Sequence, residues 1–171
     1  MIPIMGFAAP SGTGKTTLME AVIAELTARG VRVAALKHGH HPVDPDVPGK
    51  DTHRFRQAGA ATVLFACPQR WFMVRELADQ EEPTVTELAV HLQGHDLILV
   101  EGYKNDAHPK IALHRRAAGN LDWLCAMHNV VAVATDDPGL AVGDGRQRLD
   151  IGQPAVVAEF IVTWLGLEQA P

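Results

Sequence analysis

Cysteine is scarce in this chain of 171 residues, because the only two, Cys67 and Cys125, lie far apart and form no CxxC pair. A disulfide framework or a zinc ribbon is therefore not expected. The sequence also lacks any apolar run near the roughly 18 residues of a membrane span. No basic amino-terminal region precedes a signal-type apolar segment. We therefore expect a protein of the reducing cytoplasm that does not act in a membrane.

Positive charge is not in excess either, since the net charge is −5. A general binder of nucleic acid or of anionic membranes is therefore not expected. The length suffices for one domain with a real core, and 47% hydrophobic with 20% charged residues is typical of a soluble globular protein. We expect a single domain over residues 1–171. Any anion site in it must be built locally, from backbone amides and a few basic side chains.

Buried strands alternate with helices along the chain. Residues 2–8 and 31–37 predict two strands around a helix over residues 15–29, and such a unit implies a parallel pair with a right-handed crossover. The other predicted elements are a short helix over 51–59, a hairpin of 61–66 and 70–77, a helix over 83–93, strands at 96–101, 110–115 and 129–134, and a final helix from about Pro154. This order predicts an α/β three-layer fold, with a mostly parallel sheet and an antiparallel hairpin extension.

Two of these elements carry more specific expectations. The segment KIALHR at residues 110–115 alternates between polar and apolar residues, which favours an edge strand. The final helix is expected to bury Val157, Phe160 or Ile161, and Trp164.

The stretch APSGTGKTT at residues 9–17 matches the phosphate-loop consensus G-x-x-x-x-G-K-[ST], except that Ala9 replaces the first glycine. It also has the context that this motif requires, with an apolar strand before it and an amphipathic helix after it. Gly12 and Gly14 allow positive φ and close backbone approach. Successive N–H groups can then form an anion nest at the start of a helix. The loop therefore predicts a nucleoside triphosphate with Mg²⁺.

Roles within this site follow from the motif. Lys15 is predicted to contact the β- and γ-phosphates, and the Thr16 hydroxyl to ligate Mg²⁺. Lys15 and Glu101 are the candidates for catalytic roles. The predicted phosphate-binding residues are Ser11, Gly12, Thr13, Gly14, Lys15, Thr16 and Thr17.

Acidic and basic residues follow the other predicted strands. Glu101 ends the apolar run LILVE, at the ligand edge of a parallel sheet, and is predicted as a Walker-B-type acid that serves Mg²⁺. Lys37 ends the second strand, where it can neutralise phosphate charge or remain a solvated lysine. Asp51 is either a second carboxylate on the Mg²⁺ side or an acid that starts a helix. Asp136 can accept hydrogen bonds from a guanine edge, although no N-K-x-D signature is present.

Basic side chains elsewhere have simpler interpretations. His38, His40 and His41 form a possible transition-metal site, but a loop that orders over phosphates or a partner is favoured. Arg115 and Arg116 are either lid arginines of a kinase or an exposed strand end, and the strand end is favoured.

Five segments in order carry a family resemblance: FAAPSGTGKTTL, ALKHGHH, PGKDTHRFRQAGA, QRW and DLILVEGYK. Together they resemble the MobB family of molybdopterin-guanine dinucleotide biosynthesis adapter proteins, from residue 2 to about residue 136. The resemblance implies a P-loop NTPase-like domain that dimerises, binds GTP with Mg²⁺ and hydrolyses it weakly. It implies assistance to a molybdenum cofactor guanylyltransferase of the MobA type, with molybdopterin as a possible ligand. By the same resemblance Thr16 and Glu101 serve Mg²⁺, and Lys37 and Asp51 lie near the nucleotide.

Two other functions remain open from the residues. A small-molecule kinase uses the same loop and needs a base and lid arginines, for which Asp51 and Arg115 or Arg116 are available. A purely structural module with a vestigial loop is the other alternative, in which Trp71 and Phe72 of the hairpin cover a dimer face.

Overall fold

The computed structural model describes residues 1–39, 41–118, 122–143 and 145–167. They form two compact units, one of residues 1–38 with the residues from 84 onward and the other of residues 39–83. The single domain over residues 1–171 stays a prediction. None of the helices in these ranges is both long and apolar enough to span a bilayer.

The first unit is built on a six-stranded parallel sheet with the order β2-β5-β1-β6-β7-β8. Its strands are β1 (Ile4–Ala8), β2 (Val33–Lys37), β5 (Leu97–Glu101), β6 (Lys110–His114), β7 (Val130–Thr135) and β8 (Gln147–Asp150). The chain leaves β1 for one side of the sheet and returns for the other, so β1 lies at a topological switch point. Ligands of open α/β sheets bind outside the carboxyl ends of the strands at such a point.

One face of this sheet is covered by α1 (Lys15–Ala28) and α4 (Pro154–Leu165), which pack on each other. Leu18, Val22 and Leu26 of α1 are buried in this core, as their spacing predicts. The other face is covered by α3 (Val85–Ala89), a 3₁₀ turn over Val90–Leu92 and the segment around Leu124. The predicted α/β three-layer fold is thus confirmed.

Three sequence expectations differ from this fold. The β6 strand is not an edge strand, because it lies between β1 and β7 and all five of its residues are buried. Its polar ends find partners there, since the Lys110 ammonium donates to backbone carbonyls and His114 Nδ1 lies 2.9 Å from Thr135 Oγ1. Strand β8, which forms the edge of the sheet on that side, is not among the predicted strands. Trp164 is 46% exposed, although Val157 and Ile161 of the same helix are fully buried.

The second unit contains α2 (Asp51–Gln57) and the antiparallel hairpin of β3 (Thr62–Cys67) and β4 (Arg70–Arg75). The hairpin, which the sequence predicts, forms a two-stranded sheet of its own. The Arg56 guanidinium, with 8% of its side chain exposed, pairs with the carboxylates of Asp44, Asp46 and Glu76. These pairs hold the loop before α2 and the end of β4 to the helix.

A short connection, rather than a crossover helix, joins β5 to β6. Lys110 at its end is fully buried, and its ammonium donates to the carbonyls of Asp106 and His108. The His108 ring lies on Gly6 of β1, where an added Cβ would be only 2.5 Å from Nε2. Neither ring nitrogen has a hydrogen-bond partner among the described residues. Burial and, to a smaller extent, the neighbouring Lys110 charge lower the pKa of His108 to about 4.

His108 therefore predicts acid sensitivity of the fold. The unfolded chain takes up a proton at this histidine below pH 6.5, whereas the folded chain does so only near pH 4. The folded state thus loses stability as the pH falls through 6.5, by roughly 1–3 kcal/mol at pH 4. Urea unfolding of wild type and of His108→Leu between pH 7 and 4 measures this loss. The free energy of unfolding should change less steeply with pH in the variant, and this pH dependence is the slope that is compared. His91→Leu, which removes an exposed histidine, is the control; an unchanged slope in His108→Leu would contradict the prediction.

Candidate functional site

The loop between β1 and α1 has the backbone that the motif predicts. Gly12 and Gly14 have φ values of 78° and 94°, which L side chains adopt only with strain. The buried Thr13 donates its hydroxyl to the Pro10 carbonyl at 2.9 Å, so this side chain secures the loop from within. Ser11 and Gly12 remain exposed, on a loop that leads directly into α1. The amide groups here are therefore accessible to an anion.

Lys15 lies across the opening of this loop. Its ammonium donates to the carbonyl oxygens of Ala9 and Pro10, at 3.0 and 3.1 Å. Both bonds go to neutral acceptors, so the lysine charge is not balanced by them. A phosphate group would be a stronger partner for this ammonium.

Thr16 and Glu101 converge, as the sequence predicts. The Thr16 hydroxyl lies 3.2 and 3.1 Å from the two carboxylate oxygens of Glu101. Glu101 is brought there by the register of β5, in which it pairs with Phe7 of β1, and 14% of its side chain is exposed. The Lys37 ammonium, at the end of β2, lies 3.6 Å from Glu101 Oε2. Hydroxyl and carboxylate oxygens at one place suit a hard cation such as Mg²⁺. Thr17, the next residue of α1, is exposed.

The residue after Glu101, Gly102, must be a glycine for two reasons, its backbone conformation and its close neighbour. Its φ is +105°, and an added Cβ would lie 2.5 Å from the Cβ of His38. The His38 N–H donates to the Glu101 carbonyl at 2.8 Å, and its ring packs on Tyr103 with a centroid distance of 4.5 Å. Gly102 thus allows the backbones that follow β2 and β5 to approach each other closely beside Glu101.

Asp136 and Arg115, which follow β7 and β6, form a pair at the same edge of the sheet. One Asp136 oxygen accepts the Arg116 N–H at 2.7 Å, and the other lies 3.3 Å from Arg115 Nη1. The Arg116 N–H, with the Arg115 guanidinium as a smaller cause, lowers the pKa of Asp136. The Arg115 side chain also donates to the Thr13 carbonyl at 3.4 Å. Arg115 therefore contacts the loop between β1 and α1 and is not merely an exposed strand end.

A cavity of about 380 Å³ lies beside this pair, at the carboxyl ends of β7 and β8. Three carboxylates line it, those of Asp136, Asp137 and Asp150, together with Arg148. It continues the edge of the sheet on which the phosphate loop lies. This position and its hydrogen-bond acceptors suit a nitrogen base.

Asp51 and His41 lie in the second unit, and His38 lies in the first. Asp51 is 84% exposed and lies 3.8 Å from Arg54 of the same helix; its role toward Mg²⁺ stays a prediction. His40 lies outside the described residues, so the metal interpretation of His38, His40 and His41 also stays a prediction.

Known proteins resemble this chain over nearly its whole length. The family model described as MobB, molybdopterin guanine dinucleotide synthesis protein B, matches residues 4–136. The chain is 44% identical over 169 residues to the molybdopterin-guanine dinucleotide biosynthesis adapter protein of Escherichia coli (strain K12), with 96% of this chain and 94% of that protein covered. It is 31% identical over 180 residues to a probable adapter protein of the same description from Bacillus subtilis (strain 168), with 99% and 95% covered.

Solved structures agree on the fold. The crystal structure of Bacillus subtilis MobB superposes with a TM-score of 0.73 at 23% identity, over 96% of this chain and 98% of that chain. A crystal structure of a molybdopterin-guanine biosynthesis protein B gives a TM-score of 0.72 at 22% identity, over 96% and 100%.

Proposed function

The chain belongs to the MobB family, that of molybdopterin guanine dinucleotide synthesis protein B, and from this premise we propose that it is a GTP-binding adapter protein. It acts in the conversion of the molybdenum cofactor to its guanine dinucleotide form, and it hydrolyses GTP weakly. Membership confirms the resemblance carried by the sequence motifs. The observation that carries the proposal is the phosphate loop of Gly12–Lys15, joined to Glu101 through Thr16.

The loop supports binding of the triphosphate. The first amides of α1 have no intrahelical partners and carry the positive end of the helix dipole. Lys15 exchanges its two carbonyl partners for phosphate oxygens. Thr16 and Glu101 would hold Mg²⁺, which supplies charge neutralisation for the phosphates when it is bound. Lys37 then remains as a cation for the outermost phosphate.

The acidic cavity favours guanine over adenine. Guanine presents two adjacent hydrogen-bond donors, N1–H and the N2 amino group, on its Watson–Crick edge. Adenine presents a hydrogen-bond acceptor at the corresponding N1 position. An ionised carboxylate only accepts hydrogen bonds. Asp137 and Asp150, which line the cavity together with Asp136, therefore match guanine.

The adapter role places this chain beside an enzyme. We infer that the partner is the guanylyltransferase of the pathway, with molybdopterin as a possible further ligand, in the cytoplasm. The names of the relatives describe adapter proteins and give no support to the alternative of a small-molecule kinase.

A homodimer is also part of this proposal. The hairpin of the second unit exposes three large apolar side chains, with Leu64 57%, Phe65 41% and Trp71 60% exposed. Leu64 and Trp71 share one face of the hairpin, and exposed apolar side chains of this size are typical of an interface. Sedimentation at micromolar concentration tests it, and a monomer there would remove the dimer from the proposal.

Calorimetric titration with GTP and with ATP, each with Mg²⁺, tests the function. We expect GTP to bind at least tenfold more tightly, which corresponds to about 1.4 kcal/mol, and to bind less tightly when EDTA replaces Mg²⁺. Tighter binding of ATP would contradict the guanine proposal and restore the kinase alternative. A chain that binds neither nucleotide would contradict the whole proposed function.

A further inference from the structure

Arg115 approaches the phosphate loop from the far side of β1. It follows β6 directly, and its Nε donates to the Thr13 carbonyl at 3.4 Å. Its Nη2 lies 3.6 Å from the position that a Cβ on Gly14 would occupy. The guanidinium thus bonds Thr13 and lies beside Gly14, the two loop residues that precede Lys15.

This location is electrostatically unfavourable for a cation by itself. Gly14 is the N-cap of α1, and the helix has no acidic residue in its first turn. The amino terminus of a helix carries partial positive charge, so cations there are destabilising and anions are stabilising. Among the described residues, it is Asp136 whose carboxylate pairs with the Arg115 guanidinium, at 3.3 Å. An anion bound on the loop would offset the repulsion between the Arg115 charge and the positive end of the α1 dipole.

The guanidinium also keeps donors for such an anion. Of its five N–H groups, Nε serves Thr13 and one on Nη1 serves Asp136. The side chain is 42% exposed, so solvent or a ligand can reach the others. The planar fork of arginine matches the geometry of phosphate oxygens, to which it binds bidentately.

We propose that Arg115 is a phosphate-binding residue of the nucleotide site, and that Asp136 is its positioning residue. The inference rests on the proposed nucleotide binding and adds a group that the loop motif does not contain. It also gives Asp136 a task other than reading the base. One carboxylate oxygen is fixed by the Arg116 N–H at 2.7 Å, and the other is then held toward Arg115.

Nucleotide titration of Arg115→Ala tests the proposal, with Mg²⁺ and both GTP and ATP. A lost charge-assisted hydrogen bond to phosphate weakens binding roughly 10- to 100-fold. The loss should be equal for GTP and ATP, because both carry the same phosphates. Arg115→Lys should recover part of it. Arg32→Ala is the matched control, since it removes the same charge from a side chain that is 66% exposed near the amino ends of the strands and should leave both affinities within about twofold.

The positioning role of Asp136 is tested by a double-mutant cycle. Asp136→Asn should weaken the binding of both GTP and ATP in the wild-type background. It should have little effect on either affinity in the Arg115→Ala background. A loss confined to GTP would instead identify Asp136 as a base-reading residue and contradict this part of the inference.

The outcomes separate this inference from the proposed function. Wild-type protein that binds no nucleotide contradicts the function itself. Wild-type binding with unchanged affinity in a folded Arg115→Ala variant contradicts only the role of Arg115. A loss that alters the ratio of GTP to ATP affinity would place Arg115 at the base and not at the phosphates.

Discussion

Replacement of Lys15 by alanine is expected to weaken GTP binding roughly 100- to 1,000-fold. The ammonium now bonds the carbonyls of Ala9 and Pro10, which are neutral acceptors at the mouth of the loop. Triphosphate oxygens replace them with charge-assisted bonds, each about twice as strong as a neutral one. Each such bond contributes about 1.5 kcal/mol, which is roughly tenfold in affinity. Two or three of them therefore give an effect of this size. Calorimetric titration with GTP and Mg²⁺ measures it.

The control for this variant lies at the opposite edge of the sheet. Arg32 precedes β2, is 66% exposed and pairs with Asp96 before β5. Arg32→Ala removes one positive charge, as Lys15→Ala does, but far from the carboxyl ends of the strands. It should leave GTP affinity within about twofold. Equal affinity of Lys15→Ala and wild type, with both folded, would show that the nucleotide does not use this loop.

The sequence predicted the parts of the fold that depend on neighbours along the chain. The helix α1 follows from the spacing of its apolar residues, and the loop from its glycines. The central place of β6 could not be predicted in this way. Its polar ends, Lys110 and His114, are buried only because loop carbonyls and Thr135 supply partners for them. Strand β8, with the segment QRLD, lacks the apolar run that indicates a strand, and its pairing with β7 determines it.

The candidate site divides along the same line. Lys15 and Thr16 belong to one motif, and Glu101 ends an obvious buried strand, so the approach of Thr16 to Glu101 could be predicted before the structure. The contact of Arg115 with Thr13 spans 102 residues of sequence. No local pattern announces it, because an arginine after a strand is usually exposed. The sequence carries one signal of this contact: both residues follow predicted strands, β1 and β6, whose carboxyl ends lie at the same edge of the sheet.

Glu101→Gln is expected to raise the Mg²⁺ concentration that GTP binding requires. The amide keeps the shape of the side chain but loses the charge that faces Thr16 and, at 3.6 Å, the Lys37 ammonium. A group that orients or balances a bound metal contributes roughly 10- to 100-fold to metal affinity. The Mg²⁺ concentration for half-maximal GTP binding should therefore rise by that factor. Single-turnover hydrolysis should fall by a similar factor, since the charge of the metal stabilises the transferring phosphate.

Asp96→Asn is the matched control for Glu101→Gln, because the two acids flank opposite ends of β5. It removes the same charge, and its cost falls on the pairing with Arg32, hence on stability rather than on the metal. The Mg²⁺ requirement should remain as in wild type. If Glu101→Gln binds GTP with an unchanged Mg²⁺ requirement, the metal is not held at the end of β5. Since Glu101 and Thr16 are the described residues that bring hydroxyl and carboxylate oxygens together beside the loop, the metal would then need ligands from elsewhere, and Asp51 would be the next residue to substitute.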